Sequence, residues 1–73
     1  MIEKEVVSSQ IKKVAYDEEK NELFVTFNTG SKYKYSNVSR SDFDALISAE
    51  SIGSHFGKNI KGNANYPFVL VSK

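Results

Sequence analysis

The chain offers few side chains for catalysis. His55 is its one histidine. On a helical turn the polar neighbours of His55 at i−4 and i+4 are Ser51 and Asn59, which complete neither a nucleophile–base–acid triad nor a metal set. Ser54, next in sequence, would project from a different face. Asp17-Glu18-Glu19 is clustered like a metal site, yet it lacks the spacing and the glycine of a calcium loop, and a solvated hairpin turn accounts for it. The glycines form neither GxGxxG nor GxxxxGK. With no cysteine, disulfides, thiol nucleophiles, iron–sulfur clusters and zinc knuckles are excluded. These residues predict a non-enzymatic protein, with no catalytic residue, no metal and no cofactor.

Binding chemistry is better represented. Tyr33 and Tyr35 share one face of a strand, and Lys32 and Lys34 alternate with them near Lys12, Lys13 and Arg40. Together they supply π-faces for stacking and cations for phosphates, the two parts of a single-strand nucleic-acid site. The period of two nevertheless puts the lysines on the face opposite the tyrosines. The rings could equally pack under a helix with their hydroxyls at the rim. A second patch runs from His55 to Asn65. There Lys58 and Lys61 stand three residues apart, with His55, Asn59 and Asn63 as hydrogen-bonding neighbours and no carboxylate to repel phosphate.

The charge distribution supports the second patch. The formal net charge of +1 combines all nine acids and seven bases in residues 1–50, a balance of −2, with three lysines and no acid in residues 51–73, a balance of +3. A basic end on a near-neutral domain suits a phosphate-bearing partner.

Several elements must position these groups. From Val6 to Tyr16 the apolar residues Val7, Ile11, Val14 and Tyr16 do not alternate, and a strand with a bulge at Lys12-Lys13 would restore the register. A short helix is the competing reading. Leu23-Phe24-Val25-Thr26-Phe27, after the turn-forming Asp17–Asn21 cluster, is the strongest strand pattern. Gly30 supplies a tight turn, so residues 31–36 should return as a hairpin. Ser39 or Ser41, with Asp42 or Asp44 three residues on, reads as a capping box opening a helix with Phe43, Leu46 and Ile47 inward. Ile52, Phe56 and Ile60 mark a second short helix ended by Gly62. Gly53 and Gly57 weaken it by about 1 kcal/mol each relative to alanine. Phe68-Val69-Leu70-Val71 reads as a final strand or as a tail docked on the core or a neighbour, with Pro67 suited to a strand start or an edge.

The expected fold is α+β: a three-stranded antiparallel β-meander followed by two short helices packed on the sheet, with an additional C-terminal strand open. At 73 residues one domain spanning 1–73 is expected. Its core is expected from Ile11, Val14, Leu23, Val25, Phe27, Phe43, Leu46, Ile47, Phe56 and Ile60, joined by Tyr33 and Tyr35. No apolar run approaches the roughly 20 residues of a membrane span, and Met1–Glu5 lacks a signal-peptide apolar region, so a cytoplasmic protein is expected.

Val7-Ser8-Ser9-x-Ile11, Ala15-Tyr16-Asp17, Leu23-x-Val25-x-Phe27, Gly30-x-x-Tyr33-x-Tyr35-x-x-Val38 and Ser51-x-Gly53-Ser54-x-Phe56-x-x-Asn59-Ile60, taken in order, resemble the KTSC domain family. That family is named for a module at the C-terminus of some lysyl-tRNA synthetases and also occurs as stand-alone small bacterial and phage proteins. The resemblance covers a core of residues 7–61 and leaves 66–73 as an extension. It implies no assigned reaction and, through the synthetase association, an RNA ligand.

Two functional expectations follow. The first is a small binding domain for RNA or another phosphate-rich ligand. The second is a protein–protein module, or a phage-encoded homo-oligomer assembling through Phe68–Val71, that blocks or sequesters a host factor or small nucleotide.

Overall fold

The structure is a computed structural model and describes residues 1–72; Lys73, one cation of the acid-free segment, lies outside the described residues. Seven elements follow in order: β1 (Ile2–Glu5), β2 (Ile11–Asp17), β3 (Glu22–Phe27), β4 (Lys32–Tyr35), α1 (Arg40–Ser48), α2 (Ile52–Asn59) and β5 (Phe68–Ser72). The five strands form one antiparallel sheet in the order β1-β2-β3-β4-β5. The expected meander corresponds to β2, β3 and β4, and the C-terminal strand joins it beside β4. β1 is an addition to the expected meander, and its Ile2-Glu3-Lys4-Glu5 carries a single apolar residue. Pairing to β2 holds this strand, with Lys13 and Glu3 forming an ion pair on the outer face.

The irregular spacing before Tyr16 resolves as the expected bulge. Ile11 pairs with Phe27 and Lys13 with Thr26, which leaves Lys12 as the extra residue. Val14 and Tyr16 thereby return to the face that Ile11 occupies. Val7, expected among the strand's apolar positions, is fully exposed ahead of β2.

Side chains set the turns. Asp17 Oδ1 accepts from the Glu19 and Lys20 amides at 3.1 and 3.3 Å. Gly30, at φ 97°, occupies the left-handed region that a residue with a Cβ rarely adopts. The α1 capping box is reciprocal: the Ser39 hydroxyl accepts from the Asp42 amide, and the Asp42 carboxylate accepts from the Ser39 amide.

Both helices lie over one sheet face. The core comprises Ile11, Val14, Tyr16, Leu23, Val25, Tyr35, Val38, Phe43, Leu46, Ile52, Phe56 and Ile60. Phe27, Ile47 and Tyr33, expected inside, are partly buried and pack against its edge. Tyr16 was absent from the expected core, yet it is fully buried and stacks on Phe43 with centroids 4.8 Å apart. Its hydroxyl donates to the Val38 carbonyl at 2.6 Å, which satisfies a phenol that would otherwise be costly to bury.

Candidate nucleic-acid interface

Strand geometry divides the sequence-predicted residues between two surfaces. Tyr33 and Tyr35 oppose Val25 and Leu23 on the helix-covered face. Lys32 and Lys34 oppose Thr26 and Phe24 on the other face, where Lys13 also stands.

Most cations of the outer face are engaged within the protein. Lys34 pairs with Glu22 at 3.3 Å, Lys13 pairs with Glu3, and the Lys32 ammonium lies 5.4 Å from the centre of the Phe24 ring. Hydrogen bonding and charge from Lys13 hold the Glu3 carboxyl below its ordinary range, and Glu3 raises Lys13 in return. Arg40 bridges Asp44, at 3.0 Å, and Glu18; the hydrogen bonds it donates to these two carboxylates raise the pKa of its guanidinium. Lys12 is the exposed exception, projecting from the bulge with no ion pair among the described residues. A phosphate approaching this face meets carboxylates as well as lysines.

The helix-covered face ends differently. Where the α2–β5 turn leaves β4 and β5 uncovered, Phe27, Tyr33, Tyr35 and Phe68 line a groove of about 470 Å³, with Lys61, Thr29 and Ser31 at its polar boundary. No carboxylate lines it. The rings support one another. Tyr33 lies edge-on to Phe27 at 5.7 Å, Tyr35 edge-on to Phe56 at 5.3 Å, and Phe68 within 5.9 and 5.5 Å of Tyr33 and Tyr35. Tyr35 is the buried floor, whereas Tyr33 is half-buried and Phe68 exposed. Burial raises the Tyr35 phenol above its ordinary pKa, with Tyr33 adding to the effect.

The acid-free patch also separates. Lys61 follows the α2 C-cap, Ile60, and its amide donates to the Phe56 carbonyl at 2.9 Å, which turns the chain toward the groove. Lys58 is exposed in the last turn of α2. His55, Asn59 and Asn63 instead line a smaller recess beside Asp42 and Tyr66. The Asn59 and Asn63 side-chain amides already donate to the His55 and Asn59 carbonyls, each at 3.1 Å. The structure therefore brings together Tyr33, Tyr35 and Lys61, while Lys12, Lys13, Lys32, Lys34 and Arg40 lie elsewhere. Phe27, Phe68, Thr29 and Ser31 are the groove residues the site reading missed. The apolar tail was the one signal that could have suggested Phe68.

A second concavity of about 520 Å³ joins Ser8, Ser9 and Gln10 to Ser51, Gly53 and Ser54 at the start of α2. A Cβ on Gly53 would sit 3.1 Å from Ser8 Oγ. Ser8 Oγ in turn accepts from the Gln10 and Ile11 amides at 3.2 and 3.4 Å. The Ser-Ser and Ser-x-Gly-Ser segments thus meet where the Gly53 backbone approaches the Ser8 side chain. Among the described residues no three His, Cys, Asp or Glu side chains converge as a metal site, and no helix is long and apolar enough to cross a membrane.

The chain is 37% identical over 54 residues to an uncharacterized protein of Stutzerimonas stutzeri, spanning 74% of this chain and 76% of that protein. It is 38% identical over 58 residues to a lysine–tRNA ligase of Nostoc punctiforme, spanning 80% of this chain and only 10% of the ligase. A KTSC domain protein of Yersinia pestis, seen in a crystal structure, superposes with a TM-score of 0.90 at 27% identity, covering 97% of each chain. Since 97% of 73 residues is about 71, that likeness takes in at least part of β5. The KTSC domain matches residues 7–66, most of the chain, and the protein belongs to the KTSC domain family.

Proposed function

We propose that the protein is a non-enzymatic binding module for single-stranded RNA, with the groove between β4, β5 and the α2–β5 turn as its ligand site. The observation that carries this reading is the convergence of Tyr33 and Phe68 with Lys61 around a recess that no carboxylate lines. A base entering the groove would lie against Phe68 and Tyr33, which offer exposed or half-exposed rings. Lys61 would meet the adjoining phosphate, and the Thr29 and Ser31 hydroxyls would supply hydrogen bonds at the rim. Lys58, exposed in the last turn of α2, would add a second phosphate contact.

Likeness to a segment of a lysine–tRNA ligase supports an RNA ligand over other phosphate-bearing partners. The engagement of Lys13 and Lys34 in ion pairs within the protein favours the groove over the outer sheet face.

The test is fluorescence anisotropy of a labelled, mixed-sequence single-stranded RNA at about 50 and about 150 mM salt, where phosphate-driven binding must weaken as salt rises. Salt-sensitive binding that falls when Lys58 and Lys61 are both replaced by alanine is expected. Binding that ignores both salt and the double substitution would overturn the assignment.

A further inference from the structure

The two edges of the sheet are chemically unlike. β1 presents Glu3, Lys4 and Glu5 along its edge, and charges of this kind blunt an open strand against pairing. β5, at the other edge, has the sequence Phe-Val-Leu-Val-Ser and carries no charge. Its side chains Phe68, Val69, Leu70 and Val71 are 56, 53, 45 and 47% exposed. Apolar groups therefore stand on both faces of an uncovered edge.

The backbone of this edge is also unpaired, in a definable pattern. The Ser36 amide donates to the Pro67 carbonyl at 2.8 Å, which makes Ser36 and Pro67 a hydrogen-bonding pair. Residues in an antiparallel ladder alternate between bonded and non-bonded pairs. The register Tyr35–Phe68, Lys34–Val69 and Tyr33–Leu70 then directs Val69 toward β4. Phe68 and Leu70 turn their N–H and C=O groups outward.

We infer that β5 is a homodimer interface, pairing antiparallel with β5 of a second copy about a two-fold axis near Val69. In this register the outward groups of Phe68 bond those of Leu70 of the partner subunit, and the reverse. Val69 meets Val69 of the partner subunit on the outer face. Phe68 and Leu70 of the partner subunit meet on the helix face. The pairing uses the residues ahead of the irregularity between Lys32 and Tyr33, where Val71 is the extra residue on β5.

A second copy is the occupant because the edge is self-complementary: apolar faces apolar, and no like charges oppose each other. Pairing β5 with β1 of another copy would set Phe68–Val71 against Glu3-Lys4-Glu5 and would propagate without closing. The two-fold axis stands perpendicular to the sheet, so both RNA-proposed grooves open to the same side, each with its own Phe68 at the seam. The dimer stands independently of the RNA reading. A three-residue pairing with half-exposed side chains falls short of the roughly 800 Å² per partner of a standard interface, so association is concentration-dependent.

The test is sedimentation equilibrium of the full chain from about 10 µM to about 1 mM, a range that spans weak association, with amide hydrogen exchange at both ends. The mass should rise from monomer toward dimer, and the Phe68 and Leu70 amides should slow with concentration. Leu70→Lys and Val69→Lys, on opposite faces of the strand, should each hold the protein monomeric with an unchanged circular dichroism spectrum. Wild-type exchange gives a readout that needs no variant to fold. A monomer at every concentration would overturn the inference. So would growth past the dimer, or association that survives both lysine variants, as pairing through β1 or another surface would give.

Discussion

The ring of Tyr33 lies 5.9 Å from that of Phe68, tilted by 58°, so the strand after the helices completes a groove that β4 begins. Neither strand makes the groove alone. Long-range pairing of β4 with β5 sets the spacing of the aromatic rings, and the turn after α2 delivers Lys61 beside them.

Replacing Phe68 by alanine should weaken RNA binding by about five- to 150-fold, since stacking is worth roughly 1–3 kcal/mol per base. Replacing Lys61 should reduce the salt dependence of log K by about 0.7, the loss of one phosphate contact on a single strand. Lys13→Ala and Lys34→Ala should leave affinity within about twofold, because both lysines serve ion pairs across the outer face. Anisotropy titrations across a salt series check all four.

Tyr16→Phe should destabilise the fold by about 1–3 kcal/mol, because the Val38 carbonyl loses its buried donor while the ring's packing on Phe43 is kept. Urea denaturation should show a lower midpoint with an unchanged slope. An unchanged midpoint would mean that water replaces the hydroxyl.

The two glycines of α2 should respond in opposite directions. Gly57→Ala places a methyl group in open space and should gain about 0.5–1 kcal/mol through helix propensity. Gly53→Ala drives its methyl to 3.1 Å from Ser8 Oγ, an atom held by two backbone amides, and should lose stability instead. Adding Ser8→Ala should recover part of that loss, and thermal melts of the double-mutant cycle check the coupling.

The Asp42 carboxylate accepts the Tyr66 hydroxyl at 2.8 Å and also caps α1. The Tyr66 bond holds the Asp42 pKa below its ordinary value, and the capping bonds from Ser39 act in the same direction. A depressed folded pKa gives stability that is present above the unfolded value and lost as pH falls through the folded one. Tyr66 shifts upward for the same reason, so its share is present below the unfolded tyrosine value and lost as pH rises through the folded one. Asp42→Asn should flatten the acid limb of the stability profile below about pH 4, and Tyr66→Phe should reduce both limbs. Denaturant midpoints measured across pH check both.

Local patterns carried much of the fold. The Ile11–Val14 spacing foretold the bulge, Ser39 and Asp42 foretold the capping box, and Gly30 foretold the hairpin. What stayed hidden depends on partners distant in sequence. β1 has almost no apolar signal of its own and exists by pairing with β2. Tyr16 belongs in the core because Val38 accepts its hydroxyl and Phe43 stacks on it. The site was partly legible. Alternation alone separates Tyr33 and Tyr35 from Lys32 and Lys34, but no local rule brings Lys61 and Phe68 to the tyrosines. Proximity in sequence likewise suggested that His55, Asn59 and Asn63 act with Lys61, whereas the end of α2 turns them to a different recess.

The groove assignment is tested most directly by an amide chemical-shift titration of labelled protein with mixed-sequence single-stranded RNA, at low and at physiological salt. The account predicts shifts concentrated on Phe27, Thr29, Ser31, Tyr33, Lys61 and Phe68, diminished by salt. Shifts confined to the outer face, at Lys12, Lys13, Lys32 and Lys34, or no shifts at either salt, would contradict it.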